Sequence, residues 1–451
     1  MSKSTTTVDH SSQDVLEPEA RPVPEGRVAR LQHGETWRSI FRHPHLDTPR
    51  GRALQSFSNV FLHIYPVKVP SRVLKLRYSW RLGYIASVLF AVLLVTGIYL
   101  MFFYTPSVTA AYGDMQQLRT GVGFGQLIRN VHRWSAHLMV LVVVLHLVRV
   151  FYAGAYKRPR QFNWVLGVSL LLITLGFSFT GYLLPWDQLS YWAVTVGTNL
   201  ISYVPVLGKQ LSDLLIGGEQ IGQATLLRFY SLHVAVLPVA LGLLLMVHIW
   251  RVRKDGFAVK RGEVGSFAEG STDRLVVTSS GAEPATEDGQ RVRLLGVVDR
   301  ESVTAEERLT DDTVFTWPHM LVRHVVVGLG TVATVLALGV LFAAPLRGIA
   351  NPNETPEPAK APWYFVGLQE LLSRFDPLVA GIFVPTALVL VLVFLPYIDR
   401  NSATEARNRK VAITIFSIVL AAVIVLTVIG ALFRGPGWQF ITPWDHNYLE
   451  L

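Results

Sequence analysis

Long apolar stretches separated by polar segments dominate the chain. Seven stretches of about 20 residues are almost wholly apolar, the length of helix that crosses a hydrocarbon core of about 30 Å. They are continuous rather than alternating, which favours spanning helices over the strands of a β-barrel. We number these predicted spans α1 to α7, and they cover residues 82–104, 130–153, 164–184, 229–250, 320–344, 379–398 and 411–433. The pattern predicts an all-α polytopic membrane protein.

Two long polar stretches interrupt this pattern. Residues 1–55 are rich in charge, Ser, Thr and Pro and contain no apolar core of a signal peptide, so we predict a polar tail. Residues 255–314 contain GSFAEGSTD and SSGAEPATEDG, which are typical of an exposed linker. The linker separates a predicted four-span domain, 56–254, from a predicted three-span domain, 315–451.

Lys and Arg cluster beside the ends of the predicted spans. The clusters precede α1, join α2 to α3, follow α4 and join α6 to α7. Because cytoplasmic loops are enriched in Lys and Arg, this pattern places the N-terminus on the cytoplasmic side, the n-side. Loops 105–128, 185–226 and 345–378 carry few basic residues and are predicted on the opposite p-side. The net charge of +9 therefore reflects membrane topology and does not indicate nucleic-acid binding.

Four histidines lie inside α2 and α4 at nearly matching intervals. His132 and His146 in α2 are fourteen positions apart, and His233 and His248 in α4 are fifteen positions apart. Fourteen helical residues rise about 21 Å and return to nearly the same face, and fifteen shift the face modestly. Both spans run from the p-side to the n-side, so His132 and His233 form a p-side pair, and His146 and His248 an n-side pair. Each pair can supply both axial ligands of one haem iron, whereas zinc prefers three or four clustered ligands.

Glycines in the neighbouring spans repeat this interval. Gly83 and Gly97 in α1 are fourteen positions apart, as are Gly167 and Gly181 in α3. Because α1 and α3 run opposite to α2 and α4, we expect Gly97 and Gly181 beside the p-side pair, and Gly83 and Gly167 beside the n-side pair. A flat haem needs such room between helices, although close helix packing alone also favours glycine.

Three arginines lie near the level of the p-side pair. Arg129, Arg133 and Arg228 are candidates to bind haem propionates, because a guanidinium matches the geometry of a carboxylate. Extension of each side chain toward the polar interface is an equally good explanation for any one of them.

The segments VHRW, GYLLPWDQLSYWAV and RFYSLH, with the four histidines, resemble cytochrome b, the haem-bearing core of the cytochrome bc complexes. The resemblance covers roughly residues 56–254 and 315–435. The fifteen-residue interval in α4 and the seven spans are similar to the plastid and cyanobacterial branch. That branch has separate four-helix and three-helix subunits, which the linker would join here.

The resemblance implies a redox subunit of an electron-transport chain in a bacterial-type plasma membrane, working by a Q cycle. Quinol would bind on the p-side, between the region after α3 and the α5–α6 loop. One electron would pass to a separate Rieske iron–sulfur protein and on to a c-type cytochrome or an equivalent acceptor. The other would pass through the p-side and n-side haems to an n-side quinone. Protons would be released on the p-side, and the complex would be a dimer.

The α5–α6 loop departs from the family pattern. The family has Pro-Glu-Trp-Tyr, whose Glu accepts a quinol proton; here Trp363 and Tyr364 match, but Pro362 occupies the Glu position. The candidate replacements are Glu370, Asp187, or Tyr364 with water. A partly buried carboxylate has the raised proton affinity that this task needs, while a solvated or capping role is an equal alternative for Glu370. The change is compatible with a low-potential quinone such as menaquinone.

Two other residues qualify the resemblance. The plastid branch attaches an extra haem through a Cys near the start of α1, where Arg81 aligns here. The chain has no Cys, which excludes a covalent third haem, disulfides and Cys-held iron–sulfur clusters.

His137 is five residues from His132 and points away from the ligand face. We assign it a hydrogen bond or a role on the quinone side.

Two other functions compete with this one. A dihaem anchor of another quinone-linked oxidoreductase, without bifurcation, explains the histidines but not PWDQ, WYF or α5 to α7. A transporter with a histidine proton relay does not explain the matched glycines. A reduced-minus-oxidised spectrum distinguishes the cytochrome from the transporter, which would show no haem. A Rieske partner distinguishes the cytochrome b subunit from the dihaem anchor.

Overall fold

The computed structural model describes residues 52, 53, 56, 63–258, 313–356, 360–433 and 440. The predicted tail, 1–55, and the predicted linker, 255–314, lie almost wholly outside the described residues. Within the described residues the fold is helical apart from one two-stranded sheet.

All seven predicted spans are helices long and apolar enough to cross a membrane. Large apolar side chains cover their outer faces, and Val340 and Val411 are 71% and 75% exposed, as expected for surfaces that contact lipid. The prediction of an all-α polytopic membrane protein is confirmed. The spans are Leu82–Met101 (α1), Gly125–Tyr152 (α2), Gln161–Leu183 (α3), Gln223–Asp255 (α4), Thr316–Leu341 (α5), Leu378–Ile398 (α6) and Lys410–Leu432 (α7).

Short elements connect the spans. Strand β1, Lys68–Pro70, pairs in antiparallel register with β2, Thr313–Phe315. This sheet joins the chain before α1 to the start of α5. The short helices are Ser71–Leu74 and Leu76–Ser79 before α1, Ala111–Thr120 before α2, Gln188–Ser202 and Gly208–Ile216 before α4, Trp363–Leu372 before α6, and Ala406–Asn408 before α7.

Two spans contain a π-helical segment shortly before a proline. Leu232–Val236 in α4 precedes Pro238, and Leu378–Phe383 in α6 precedes Pro385. Proline has no N–H and its ring crowds the carbonyl four residues earlier, so a wider turn relieves both problems. The segment in α4 contains His233. Because a wider turn takes up one extra residue, the fifteen-residue interval of α4 covers nearly the same height and face as the fourteen-residue interval of α2.

A buried polar junction joins the two halves of the chain where the α2–α3 connection meets the end of α6 and the start of α7. Lys157, from the α2–α3 connection, forms an ion pair of 2.5 Å with Asp399 at the end of α6. The hydroxyl of Tyr156 also donates to Asp399. Arg409, at the start of α7, donates to the Tyr156 hydroxyl over 2.8 Å. Lys157 and Arg409, one basic residue from each of these two connections, are therefore interior contacts.

Candidate functional site

The histidines of α2 and α4 face each other at two levels. The imidazole ring centroids of His132 and His233 are 6.3 Å apart, and those of His146 and His248 are 6.5 Å apart. Two metal–nitrogen bonds of about 2 Å each, with a ring on either side, need a centroid separation of about 6 Å. The geometry of each pair therefore fits two axial ligands on one iron. Among the described residues no group of three or more metal-ligating side chains is placed to hold a metal ion.

The four predicted glycines lie against these histidines, each at the predicted level. A Cβ atom added to any of them would meet the Cε1 atom of a histidine ring, and at Gly181 it would collide with that ring. The distances from the added Cβ to the histidine Cε1 are 3.3 Å for Gly97 and His132, 2.5 Å for Gly181 and His233, 3.3 Å for Gly83 and His146, and 3.6 Å for Gly167 and His248. The lack of a side chain at these glycines therefore lets the four histidine rings lie close against α1 and α3.

Two of the three predicted arginines donate hydrogen bonds to backbone carbonyls in the connections that follow α5 and precede α4. Arg129 is buried and donates to the carbonyl of Ala344 over 2.7 Å, and Arg228 donates to the carbonyl of Leu214. Arg133 makes no hydrogen bond or ion pair within the described part of the chain. Its guanidinium is therefore the one of the three that is free to bind a carboxylate.

His137 contacts the two aromatic residues of the α5–α6 loop that match the family motif. The indole Nε1 of Trp363 donates to His137 Nδ1 over 3.0 Å, and the rings of His137 and Tyr364 are 5.8 Å apart. Burial raises the pKa of Tyr364, and the charge of Arg133 opposes this only in part. The Tyr364 hydroxyl therefore keeps its proton near neutral pH.

Both candidate carboxylates are already engaged. Asp187 caps the helix that follows it, accepting from the Ser190 amide over 2.9 Å with Oδ1 and from the Arg347 amide over 3.1 Å with Oδ2. Glu370 is fully buried, and its Oε1 accepts two hydrogen bonds from Arg374, over 2.9 and 2.7 Å. A role for either as proton acceptor stays a prediction.

Pro362 has a local structural role. It precedes the helix Trp363–Leu372, and its carbonyl accepts from the amides of Phe365 and Val366. Proline fits this position because the first amides of a helix need no intrahelical acceptor. A proline at this position, where the resemblance leads one to expect Glu, therefore removes an acid but is compatible with the start of the helix.

The fold and these contacts define a class: a polytopic α-helical membrane protein with two levels of facing histidines in its first four spans. The family model described as cytochrome b/b6/petB matches residues 67–256, and that described as cytochrome b (C-terminal)/b6/petD matches 349–445. The chain belongs to the cytochrome b/b6 family. Both family regions lie in this one chain, which confirms the predicted fusion.

Individual relatives agree with this assignment. Cytochrome b6 of Prochlorococcus marinus (strain AS9601) is 48% identical over 177 residues, which are 39% of this chain and 81% of that protein. Cytochrome b6 of Synechococcus sp. (strain RCC307) is 49% identical over the same length, with the same coverage. A chain from a solved hyperthermophilic respiratory complex III shares the fold, with a TM-score of 0.66 and 23% identity over 90% of this chain and 91% of that chain.

Proposed function

We propose that this chain is the dihaem b-type cytochrome subunit of a quinol-oxidising cytochrome bc complex. It would couple quinol oxidation on the p-side to quinone reduction on the n-side by a Q cycle and so build a proton gradient. The observation that carries the proposal is the pair of facing histidines at each of two levels, 6.3 and 6.5 Å apart. A bound b-type haem would supply one-electron redox chemistry at each level.

The ligands in this proposal are the four histidines of α2 and α4. His132 and His233 would hold the p-side haem, and His146 and His248 the n-side haem. The glycines of α1 and α3 leave the room beside them. Arg133 is the best placed of the three arginines to bind a propionate, because Arg129 already holds the loop after α5. Arg129 and Arg228 would shape the p-side surface through the loops that they fix.

The p-side quinol site in this proposal includes His137, Trp363 and Tyr364. An indole N–H can only donate, so Nδ1 of His137 is the acceptor and the neutral ring carries its proton on Nε2. Nε2 has no partner within the described part of the chain, so it can donate to a quinol or quinone oxygen. Proton acceptance would then fall to Glu370 or Asp187, reached through water.

The partners in this proposal follow partly from what the chain lacks. It contains no cysteine and so cannot hold a Rieske cluster, which needs cysteine and histidine ligands. A separate Rieske protein and a c-type cytochrome or equivalent acceptor are therefore proposed, together with a dimeric complex. The proposed location is a bacterial-type plasma membrane with the N-terminus in the cytoplasm, and menaquinone is the proposed quinone.

A test of bifurcation separates this function from that of a simple dihaem anchor. The complex would be purified through a tag on this chain, poised with quinol, and treated with an inhibitor of the n-side site. Adding an oxidant of the high-potential partners should then increase the amount of reduced haem b, because the two electrons of quinol leave by different routes. A decrease, with no iron–sulfur protein in the preparation, would contradict the proposal and favour the anchor.

A further inference from the structure

Two threonines touch the p-side histidines. Thr96 Oγ1 lies 2.8 Å from His132 Nδ1, and Thr180 Oγ1 lies 3.2 Å from His233 Nδ1. Each threonine immediately precedes the glycine that makes room for the same pair. One residue of each Thr-Gly dipeptide therefore contacts the ligand ring, and the other clears the space beside it.

The hydroxyl hydrogens decide the direction of these bonds. A threonine hydroxyl has one hydrogen to donate. Thr96 donates it to the carbonyl of Val92 over 2.8 Å, and Thr180 donates to the carbonyl of Gly176 over 2.8 Å. Each hydroxyl oxygen then accepts from the histidine. Nδ1 consequently carries the imidazole proton, and the lone pair of Nε2 is left for a metal.

The n-side pair has no such partners. The residues that precede Gly83 and Gly167 are Leu82 and Leu166, both buried. Within the described residues no hydroxyl side chain forms a hydrogen bond with the ring of His146 or His248. The chain therefore repeats the interval of histidine and glycine at two levels but supplies the hydroxyl at only one.

We propose that Thr96 and Thr180 are positioning residues that lower the reduction potential at the p-side level relative to the n-side level. A hydrogen bond from the non-ligating nitrogen fixes the tautomer and makes the ligating nitrogen more basic. A more basic ligand stabilises oxidised iron more than reduced iron. The lower potential at the p-side level favours electron movement toward the n-side, the direction that the proposed function, on which this inference rests, requires.

The test is a redox titration of both b-type haems in the purified complex. Thr96→Val and Thr180→Val keep the side-chain shape and remove the acceptor oxygen. We expect each variant to raise the p-side midpoint potential and leave the n-side potential unchanged. A tenfold change in the relative stability of oxidised and reduced iron corresponds to about 59 mV for one electron. Thr96→Ser should titrate as the unmodified protein does, because it restores the oxygen.

Two further variants serve as controls. Thr174→Val removes a hydroxyl of α3 that makes the same kind of backbone bond, to Leu170 over 2.8 Å, and it should change neither potential. Leu166→Thr introduces a hydroxyl beside the n-side pair, and it should lower only the n-side potential.

The outcomes separate the two proposals. If the Val variants lose the p-side haem, Leu166→Thr decides: a lowered n-side potential supports the inference, and an unchanged one contradicts it. If the unmodified protein binds two haems and the Val variants titrate as it does, or shift both potentials equally, the threonine inference is wrong. If the folded unmodified protein binds no haem, the proposed function itself fails.

Discussion

The indole nitrogen of Trp363 donates a hydrogen bond of 3.0 Å to Nδ1 of His137. This contact joins the middle of α2 to the first turn of the short helix Trp363–Leu372, which lies within the α5–α6 connection. It also fixes where the proton of a neutral His137 resides, on Nε2. A residue that the sequence left with a general role is thereby placed beside Trp363 and Tyr364, at the proposed quinol site.

Replacing His137 by Phe should weaken quinol binding. The variant removes the Nε2–H donor, and a hydrogen bond contributes about 1 kcal/mol, which corresponds to a roughly fivefold higher KM for quinol. The measurement is steady-state quinol oxidation at several quinol concentrations, together with the haem spectrum. The spectrum should not change, because His137 does not touch the four ligand histidines.

Replacing Trp363 by Phe provides the matched comparison for His137. It keeps an aromatic ring but frees Nδ1, so the imidazole proton can occupy either nitrogen. The quinol KM should rise less than in His137→Phe. If His137→Phe oxidises quinol with an unchanged KM and kcat, His137 is not part of the quinol site.

Replacing Gly181 by Ala should remove the p-side haem alone. The new Cβ would lie 2.5 Å from His233 Cε1, so the ligand ring has to move. The pyridine haemochrome assay should fall from two haems to one per chain. Gly176→Ala, on the same helix, is the control, because its Cβ would meet only Leu237 at 3.9 Å. Two haems in Gly181→Ala would show that the ring has more freedom than the close approach allows.

Replacing Asp399 by Asn should destabilise the junction between the two halves of the chain. The variant leaves the buried Lys157 without its carboxylate, and breaking a buried pair typically costs about 3–5 kcal/mol. The thermal unfolding midpoint in detergent should drop clearly. Lys209→Met, which breaks the exposed ion pair with Asp213, should have little effect, since such pairs contribute at most about 1 kcal/mol. Equal midpoints for the two variants would contradict a stabilising junction.

The same junction should weaken in acid. Burial opposes the charge of Asp399, but hydrogen bonds from Lys157 and Tyr156 and the charge of Arg409 outweigh it and lower the pKa of Asp399 below its ordinary value. The stabilisation is therefore complete above the unfolded carboxyl pKa of about 3.9. It is lost as the pH falls below that value, through the lower pKa of the folded protein. Unfolding midpoints measured from pH 7 to pH 3 should show this loss in the unmodified protein and not in Asp399→Asn.

The sequence was sufficient to predict the seven spans and the two levels of histidines. The length of an apolar stretch determines whether a helix can span a membrane. The rise per residue of a helix converts the sequence interval between His132 and His146 into a distance along the helix axis. The π-helical segment at His233 could not be read from the interval, because it depends on how Pro238 is accommodated. The capping role of Asp187 had a local signal, an Asp followed three residues later by Ser190, that sequence reasoning missed.

Contacts between distant parts of the chain could not be predicted from the sequence. The pairing of β1 with β2, the ion pair of Lys157 with Asp399, and the bond of Arg129 to Ala344 each join a segment of the first domain to a segment far along the chain. Nothing in local propensity or periodicity specifies such partners. Thr96 and Thr180 could be predicted only in part. The sequence shows that each precedes a glycine, but it does not show their contacts with the histidines.

The most direct test of the central claim is haem quantitation in the purified chain, with a dithionite-reduced minus oxidised spectrum. Two b-type haems per chain are expected, with one lost in His132→Ala and the other, spectrally distinct, lost in His146→Ala. The absence of haem from a folded, unmodified sample would contradict the claim, and the histidines would then belong to another function.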